Sequence, residues 1–146
     1  MILYLDTSAL VKQYVEEAGS AVGTRGVQAA GVVATARIAY AEARAAFARH
    51  RREGGLTAAS LRRVVAHLDD DWPRYTVVEI TDALVRTAGR YAEHHALRGF
   101  DGLHLAAATE LRRPDARVTF ACFHRALSRA ARHEQLLVLP RARSPA

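Results

Sequence analysis

The sequence predicts an α/β domain built on a parallel sheet of about five strands, with helices on both faces. Three observations lead there. Short apolar runs recur along the chain and alternate with stretches of helical apolar spacing, the order that builds parallel sheets. The first run, Ile2-Leu3-Tyr4-Leu5, is continuous rather than alternating, as expected of a strand covered on both faces. At 146 residues, half of them hydrophobic, the chain suits one compact domain with a single core.

The elements follow in order. Ile2 to Leu5 is the first strand, and Ser8 to about Glu17 has helical spacing that ends at Gly19. Val32 to Thr35 reads as a second short strand. Arg37 to about Arg52 is a long helix of alanine and arginine, stopped by Gly54-Gly55 in the turn of a helical hairpin. The next helix has its own start signals: Thr57 can cap it, and Leu56 and Leu61 occupy the two positions of a hydrophobic staple. Leu61, Val64, Val65, Leu68 and Trp72 then recur at helical spacing before Pro73, a face that suits either the core or a partner groove. Thr76 to Glu79 is a third strand, followed by a helix announced by Ile80-Thr81 and Val85. Asp101 opens a further helical stretch running through Ala108. Arg117 to Ala121 and Leu136 to Leu139 are the last strands, separated by a helix from about Arg125 to His133. One domain is therefore expected over residues 1–140, with a short tail over 141–146 that lacks apolar periodicity.

Composition narrows the class. No apolar stretch approaches the ~20 residues needed to cross a bilayer, and the N-terminus lacks the basic region and cleavage site of a secretory signal. A cytoplasmic protein with no membrane partner is the expectation. Cys122 is the sole cysteine, which rules out an intrachain disulfide and a cysteine-based zinc site, and it is read as a small buried hydrophobe near a strand end. The formal charge is +6, and Lys12 is the only lysine among 21 basic residues. Arginine suits bidentate contact with phosphate, so a nucleic-acid partner is permitted. The base composition of a GC-rich genome would give the same arginine excess, so the charge alone does not demonstrate one.

The chemistry-bearing residues are acids placed at element junctions. Asp6 follows the first strand directly, where open parallel sheets bind ligands. Asp101 stands at the start of a helix that reads as buried, where the helix dipole favours a carboxylate. Magnesium and manganese take oxygen ligands from carboxylates, waters and phosphates, so acids converging on one crevice suit metal-dependent phosphodiester chemistry. Glu42 is a weak candidate on these grounds, lying on the helix about one turn past the second strand.

Three segments resemble a known family: Asp6-Thr7-Ser8-Ala9-Leu10-Val11-Lys12, Thr35-Ala36-Arg37-Ile38-Ala39-Tyr40-Ala41-Glu42, and Leu97-Arg98-Gly99-Phe100-Asp101-Gly102-Leu103-His104-Leu105-Ala106. In order and at these separations they look like PIN-domain ribonucleases, and more narrowly like the VapC toxins of VapBC toxin–antitoxin pairs. The resemblance spans nearly the whole chain. It implies a PIN-like three-layer α/β/α domain, often a homodimer, that binds Mg2+ or Mn2+ at one sheet edge. It further implies that the protein cleaves RNA as substrate and is inhibited by a cognate VapB-type antitoxin. Carried over by position, Asp6, Glu42 and Asp101 are the acidic metal-site residues, and Ser8 is the hydroxyl that orients Asp6 or a water on the metal.

One position departs from the family's pattern. The family usually has a fourth acid after the fourth strand, where this chain has His124. Imidazole is a poor magnesium ligand and a better manganese one. Three readings stay open: His124 ligates a metal or positions water, three acids hold a single ion, or the chain is a catalytically weakened module that acts by binding RNA or antitoxin. A phosphotransfer domain with a nucleophilic Asp6, as in haloacid-dehalogenase-like hydrolases, is a weaker fit, because Ser8 stands where those proteins place a second acid.

Other polar residues have plainer readings. Without the family, Asp6 would be a helix cap and Glu42 a surface acid paired with an arginine. Lys12 reads as solvated. Asp69-Asp70-Asp71 point around a helix and read as a solvated end rather than a metal cluster. Asp82 suits a first helical turn, and Asp115 is the one spare acid near the fourth strand. His94 and His95 are adjacent and cannot share a helix face, which argues against a zinc pair. His104 reads as packed or hydrogen-bonded. Arg44, Arg49, Arg51 and Arg52 form either a solvated face or the bank of an RNA groove.

Overall fold

A computed structural model describes residues 1–141, so of the expected tail only Arg141 falls within it and residues 142–146 lie outside the described residues. The elements are β1 (Ile2–Leu5), α1 (Thr7–Val11), α2 (Ser20–Ala29), β2 (Val32–Ala36), α3 (Ala39–Arg52), α4 (Ala58–Asp71), a 3-10 turn (Trp72–Arg74), β3 (Thr76–Val78), α5 (Asp82–His95), α6 (Gly99–Glu110), β4 (Val118–Ala121), α7 (Arg125–His133) and β5 (Leu137–Leu139). The five strands form one parallel sheet in the order β3-β2-β1-β4-β5. β1 is central. Its residues pair with β2 from Ile2↔Val32 to Tyr4↔Ala34 on one edge, and with β4 from Ile2↔Val118 to Leu5↔Ala121 on the other. That position explains the unbroken apolar run, since both faces of β1 are covered.

Alternation along the strands divides the interior into two clusters, one on each face of the sheet. Tyr4 and Phe120 point to the face carrying α5, α6 and α7, where they pack with Leu105, Leu127 and the alanines of α6. Leu3, Leu5 and Ala121 point to the opposite face, against Leu10, Phe47, Val64 and Leu68 of α1, α3 and α4. The predicted single core is thus one core split by the sheet. Each fully buried leucine contributes roughly 1.5–3 kcal/mol relative to exposure. Val64 and Leu68 are buried and Leu61 and Val65 partly so, which assigns the α4 stripe to the core rather than to a partner groove.

Most predicted elements are present with ends shifted by a residue or two. α4 starts as expected, with Thr57 accepting a hydrogen bond from the Ser60 N–H at 3.0 Å. The expected helix from Ser8 to Glu17 is a correction. α1 ends at Val11, and Gly19 begins the next helix as its N-cap instead of ending the first. Gly19 takes φ 90°, and a Cβ there would lie 2.4 Å from the Phe123 ring, so both backbone and space require glycine. α2 itself was not foreseen. Its buried positions are Ser20, Gly23 and Gly26, a small-residue face with no apolar periodicity to read. That face lets α2 lie close to the sheet: a Cβ on Gly26 would meet Leu139 at 3.1 Å and Leu3 at 3.3 Å.

The order of connections creates the site. From β1 the chain moves outward to β2 and β3, then crosses back to β4 on the other side of β1. The connections leave β1 in opposite directions, the arrangement that in open parallel sheets sets a crevice beyond the carboxyl ends of the strands, here β1 and β4.

Candidate metal centre

Asp6 is the first residue past β1. Its N–H bonds to the Ala121 carbonyl at 3.2 Å, continuing the β1–β4 pairing into the crevice. The side chain is 2% exposed and held from two directions. Its Oδ1 accepts the Ala9 N–H at 2.9 Å, capping α1, and the Ser8 hydroxyl at 2.7 Å. Ser8 Oγ in turn accepts the Phe123 N–H at 3.2 Å, tying the group to the segment after β4. The cap reading of Asp6 is therefore correct as far as it goes. It occupies Oδ1 and leaves Oδ2 to other partners.

Glu42 lies in the first turn of α3 and is half-buried. Its Oε1 accepts the Thr7 hydroxyl at 2.8 Å and lies 2.9 Å from His104 Nε2. On the other side of the imidazole, Nδ1 lies 2.7 Å from the Tyr4 hydroxyl. His104 is 2% exposed, so a buried chain runs Tyr4–His104–Glu42 with Thr7 alongside. Nε2–H is given to Glu42 and Nδ1 shares a hydrogen bond with the Tyr4 hydroxyl, so each buried polar atom of this relay has a partner. Burial pushes the Glu42 carboxyl up, but the His104 bond and charge and the Thr7 bond outweigh it and hold the acid below its ordinary value.

Asp101 occupies the first turn of α6 and is partly buried. Its acidity reflects its neighbours. Burial raises the Asp101 pKa, His124 and His104 draw it back, and the charges of Asp6 and Glu42 raise it further. The net direction is up. Among the described residues, neither Asp6 nor Asp101 has an ion-pair partner. Of the three acids, only Glu42 has an ion-pair partner, His104. An oxygen donor set whose mutual repulsion the two histidines only partly relieve suits a hard divalent ion such as Mg2+ or Mn2+.

That repulsion has a measurable consequence. Because its pKa is raised, Asp101 costs stability above the ordinary value of 3.8 and costs nothing at lower pH, where it is protonated folded and unfolded. In EDTA at neutral pH, Asp101→Asn is expected to stabilise the protein by about 0.5 kcal/mol, a figure kept small because the group is partly solvated. Urea denaturation at pH 7 and below pH 3.8 checks this: the gain should vanish at the acidic end, and a loss of stability at pH 7 would refute the repulsion.

The remaining sequence candidates fall out as follows. His124 is the exposed N-cap residue of α7, and its side chain makes no capping bond. It stands between β4 and α7, at the carboxyl end of the sheet, and its charge lowers the Asp101 pKa. Asp115 precedes β4 and so lies at the opposite edge of the sheet, where it cannot replace a fourth acid. Lys12, expected to be solvated, is only 10% exposed in its side chain. It pairs with Glu17 at 3.7 Å and lies over the Phe123 ring at 4.8 Å. Asp69 and Asp71 are not simply solvated either: they accept the Tyr40 hydroxyl at 2.6 Å and the Tyr14 hydroxyl at 2.8 Å, and Asp71 pairs with Arg74. Asp82 opens α5 and pairs with Arg86 at 2.8 Å. Cys122 is buried, and its burial pushes the thiol pKa up. Arg44, Arg49, Arg51 and Arg52 are exposed along α3, the helix that carries Glu42. His94 and His95 do not stand alone as the sequence suggests, because His133 joins them.

Comparison with known proteins fits this geometry. The PIN domain family model matches residues 3–120. Ribonuclease VapC45 of Mycobacterium tuberculosis (strain CDC 1551 / Oshkosh) is 36% identical over 107 residues, covering 73% of this chain and 74% of the relative. Among solved structures, VapC20 of Mycobacterium tuberculosis, a Sarcin-Ricin loop cleaving toxin, has a TM-score of 0.63 at 16% identity, over 88% of this chain and 94% of its own. VapBC2 from Rickettsia felis, bound to a DNA fragment from their promoter, gives a TM-score of 0.62 at 14% identity, over 94% of this chain and 97% of that one. The two structural likenesses concern the fold, a PIN-like α/β/α arrangement.

Proposed function

Since the chain belongs to the PIN-domain family, and within it to the VapC ribonucleases, it is a ribonuclease of the toxin–antitoxin kind, and we propose that Asp6, Glu42 and Asp101 form its catalytic centre by holding Mg2+ or Mn2+. What supports this reading is the placement of three acids at one end of the sheet, Asp6 directly after β1, Glu42 in the first turn of α3 after β2 and Asp101 in the first turn of α6, with the charges of Asp6 and Glu42 raising Asp101. When bound, such an ion supplies positive charge against the scissile phosphate and makes water a nucleophile at neutral pH. The chain's own part is orientation. Ser8 and the Ala9 N–H fix Asp6, and His104 and Thr7 fix Glu42. The exposed arginines of α3 grip the RNA backbone by charge-assisted contact with phosphate.

The partner set follows from the family. The substrate is RNA, and the inhibitor is a VapB-type antitoxin drawn to the same basic groove. A homodimer is part of the proposal, and the cleft between α5 and α6 supports it, with Val85 and Phe100 47% and 55% exposed beside Gly99 and Leu103. The proposal places the protein in the cytoplasm. Among the described residues, no helix is long and apolar enough to cross a membrane.

The test is cleavage of RNA by the purified, antitoxin-free chain with Mg2+, Mn2+ or EDTA. Cleavage is expected with either ion and is lost in EDTA; activity that persists in EDTA refutes the metal centre. His124→Ala is expected to keep the rate within about tenfold, less than the roughly 10–100-fold that follows the loss of a group orienting a metal ligand. A larger fall confined to Mn2+ assays would make His124 a ligand. The exposed His124 side chain also keeps a second reading in view, a weakened module that binds without cleaving. A folded protein that binds antitoxin but cleaves no RNA with either ion would favour it.

A further inference from the structure

We propose a second cation site at the far end of α7, formed by His94, His95 and His133 and suited to a borderline transition-metal ion such as Zn2+. One ring nitrogen from each histidine lies within 4.8 Å of the others. The rings cluster accordingly, with centroids 4.6 Å apart for His94–His95, 5.2 Å for His95–His133 and 5.6 Å for His94–His133. His94 and His95 are the last residues of α5, and His133 is the last of α7. Adjacent residues on one helix would point apart. Here the ring from a second helix closes the set.

Three features make this a site for a cation. All three donors are imidazole nitrogens, which suit zinc, nickel or copper and do not suit magnesium, so the site differs in kind from the carboxylate centre. The site lies at the carboxyl ends of two helices, where the partial negative charge of each dipole favours a positive ion. The Glu134 carboxylate lies 3.3 Å from His95 Nε2, the acidic partner that commonly fixes the ring of a metal-bound histidine. The His95 side chain is only 8% exposed and forms the anchored corner, while His94 and His133 are exposed and free to turn. Zinc bound at about 2.0–2.1 Å needs nitrogens roughly 3.4 Å apart, so small rotations of the two exposed rings complete three corners of a tetrahedron. A water or chloride fills the fourth.

The site is separate from the catalytic centre. α7 begins just after His124 at the crevice, and its nine residues carry His133 about 13 Å along the helix axis. Both α5 and α7 pack on α6, which carries Asp101, so a bound ion clips together the two helices that flank it. The site therefore acts on stability and leaves the cleavage chemistry alone.

Thermal unfolding of the full chain with and without Zn2+ tests the proposal. At zinc concentrations about a hundredfold above Kd, Tm should rise by roughly 5–10 °C. His133→Ala should abolish that rise while keeping Mg2+-dependent cleavage unchanged, and His94→Gln should do the same should His133→Ala disturb folding. An Asp6→Asn/Asp101→Asn protein should keep the rise, since its carboxylate centre is disabled and its histidines are intact. No rise in the wild-type chain overturns the proposal. So does a rise that survives both histidine variants, or one that disappears in the double carboxylate variant.

Discussion

Asp6→Asn is expected to lower metal-dependent RNA cleavage by about a thousandfold while leaving the fold intact. An ion held by Asp6 would contribute several kcal/mol of charge stabilisation in the transition state, and each 1.36 kcal/mol is about tenfold in rate. Asparagine removes the charge but keeps an oxygen in place. That oxygen can still accept the Ala9 N–H and the Ser8 hydroxyl, and asparagine is as good an N-cap as aspartate. Stability should thus hold within about 1 kcal/mol. Asp6→Ala should lose both the activity and the cap, at about 1 kcal/mol of stability. Comparing the two variants by urea denaturation and RNA cleavage separates the chemical role of Asp6 from its structural one. An Asp6→Asn protein that cleaves within tenfold of wild type would remove Asp6 from the catalytic centre.

His104→Ala should carry the largest stability effect. The imidazole is buried, touches Tyr4, Thr7 and Glu42, and packs edge-on against Tyr4 with ring centroids 5.9 Å apart. Its removal leaves a cavity and strands the Tyr4 hydroxyl, which together cost about 2–4 kcal/mol. Cleavage should fall by about 10–100-fold, the usual effect of losing a group that orients a metal ligand. His104→Gln should recover part of that rate, because an amide can still donate to Glu42. The pH profile distinguishes positioning from packing. In the wild-type chain Glu42 is held below its ordinary value of 4.5, so its contribution to stability is complete above that pH and is lost as pH falls through the lowered value. Without His104 burial dominates, the Glu42 pKa rises, and acid unfolding should begin at a higher pH. An unchanged acid limb in His104→Ala would show that the imidazole packs against Glu42 without setting its charge.

The fold was legible where local pattern and burial agree. The continuous run of β1, the Thr57 cap and the Leu56–Leu61 pair all declare themselves within a few residues. α2 did not, because its buried face is Ser20, Gly23 and Gly26, and close packing of small residues leaves no hydrophobic period. At the site, Asp6 and Asp101 could be singled out from their places at a strand end and a helix start. Glu42 could not be singled out by physics alone, since a glutamate on an arginine-rich helix has no local mark, and only the family resemblance raised it. The residues that orient it were missed as a group. His104 was read as packed or bonded, but its partners Tyr4 and Thr7 stand 100 and 97 residues away in the chain, beyond any periodicity. The histidine cluster failed for the same reason, as adjacent His94 and His95 become a set only with His133 from another helix.

The central place of β1 also bears on how such an enzyme is made. β1 is made before β4, so its β4 edge stays bare until Val118–Ala121 has been synthesised. Asp6 remains without the Ala121 carbonyl and the Phe123 N–H that seat it, and Glu42 without His104, until late in translation. A growing chain therefore carries Asp6 and Glu42 without the partners that seat them. On the proposed reading, the strand order alone keeps the carboxylate centre unassembled until β4 and the segment after it have been made.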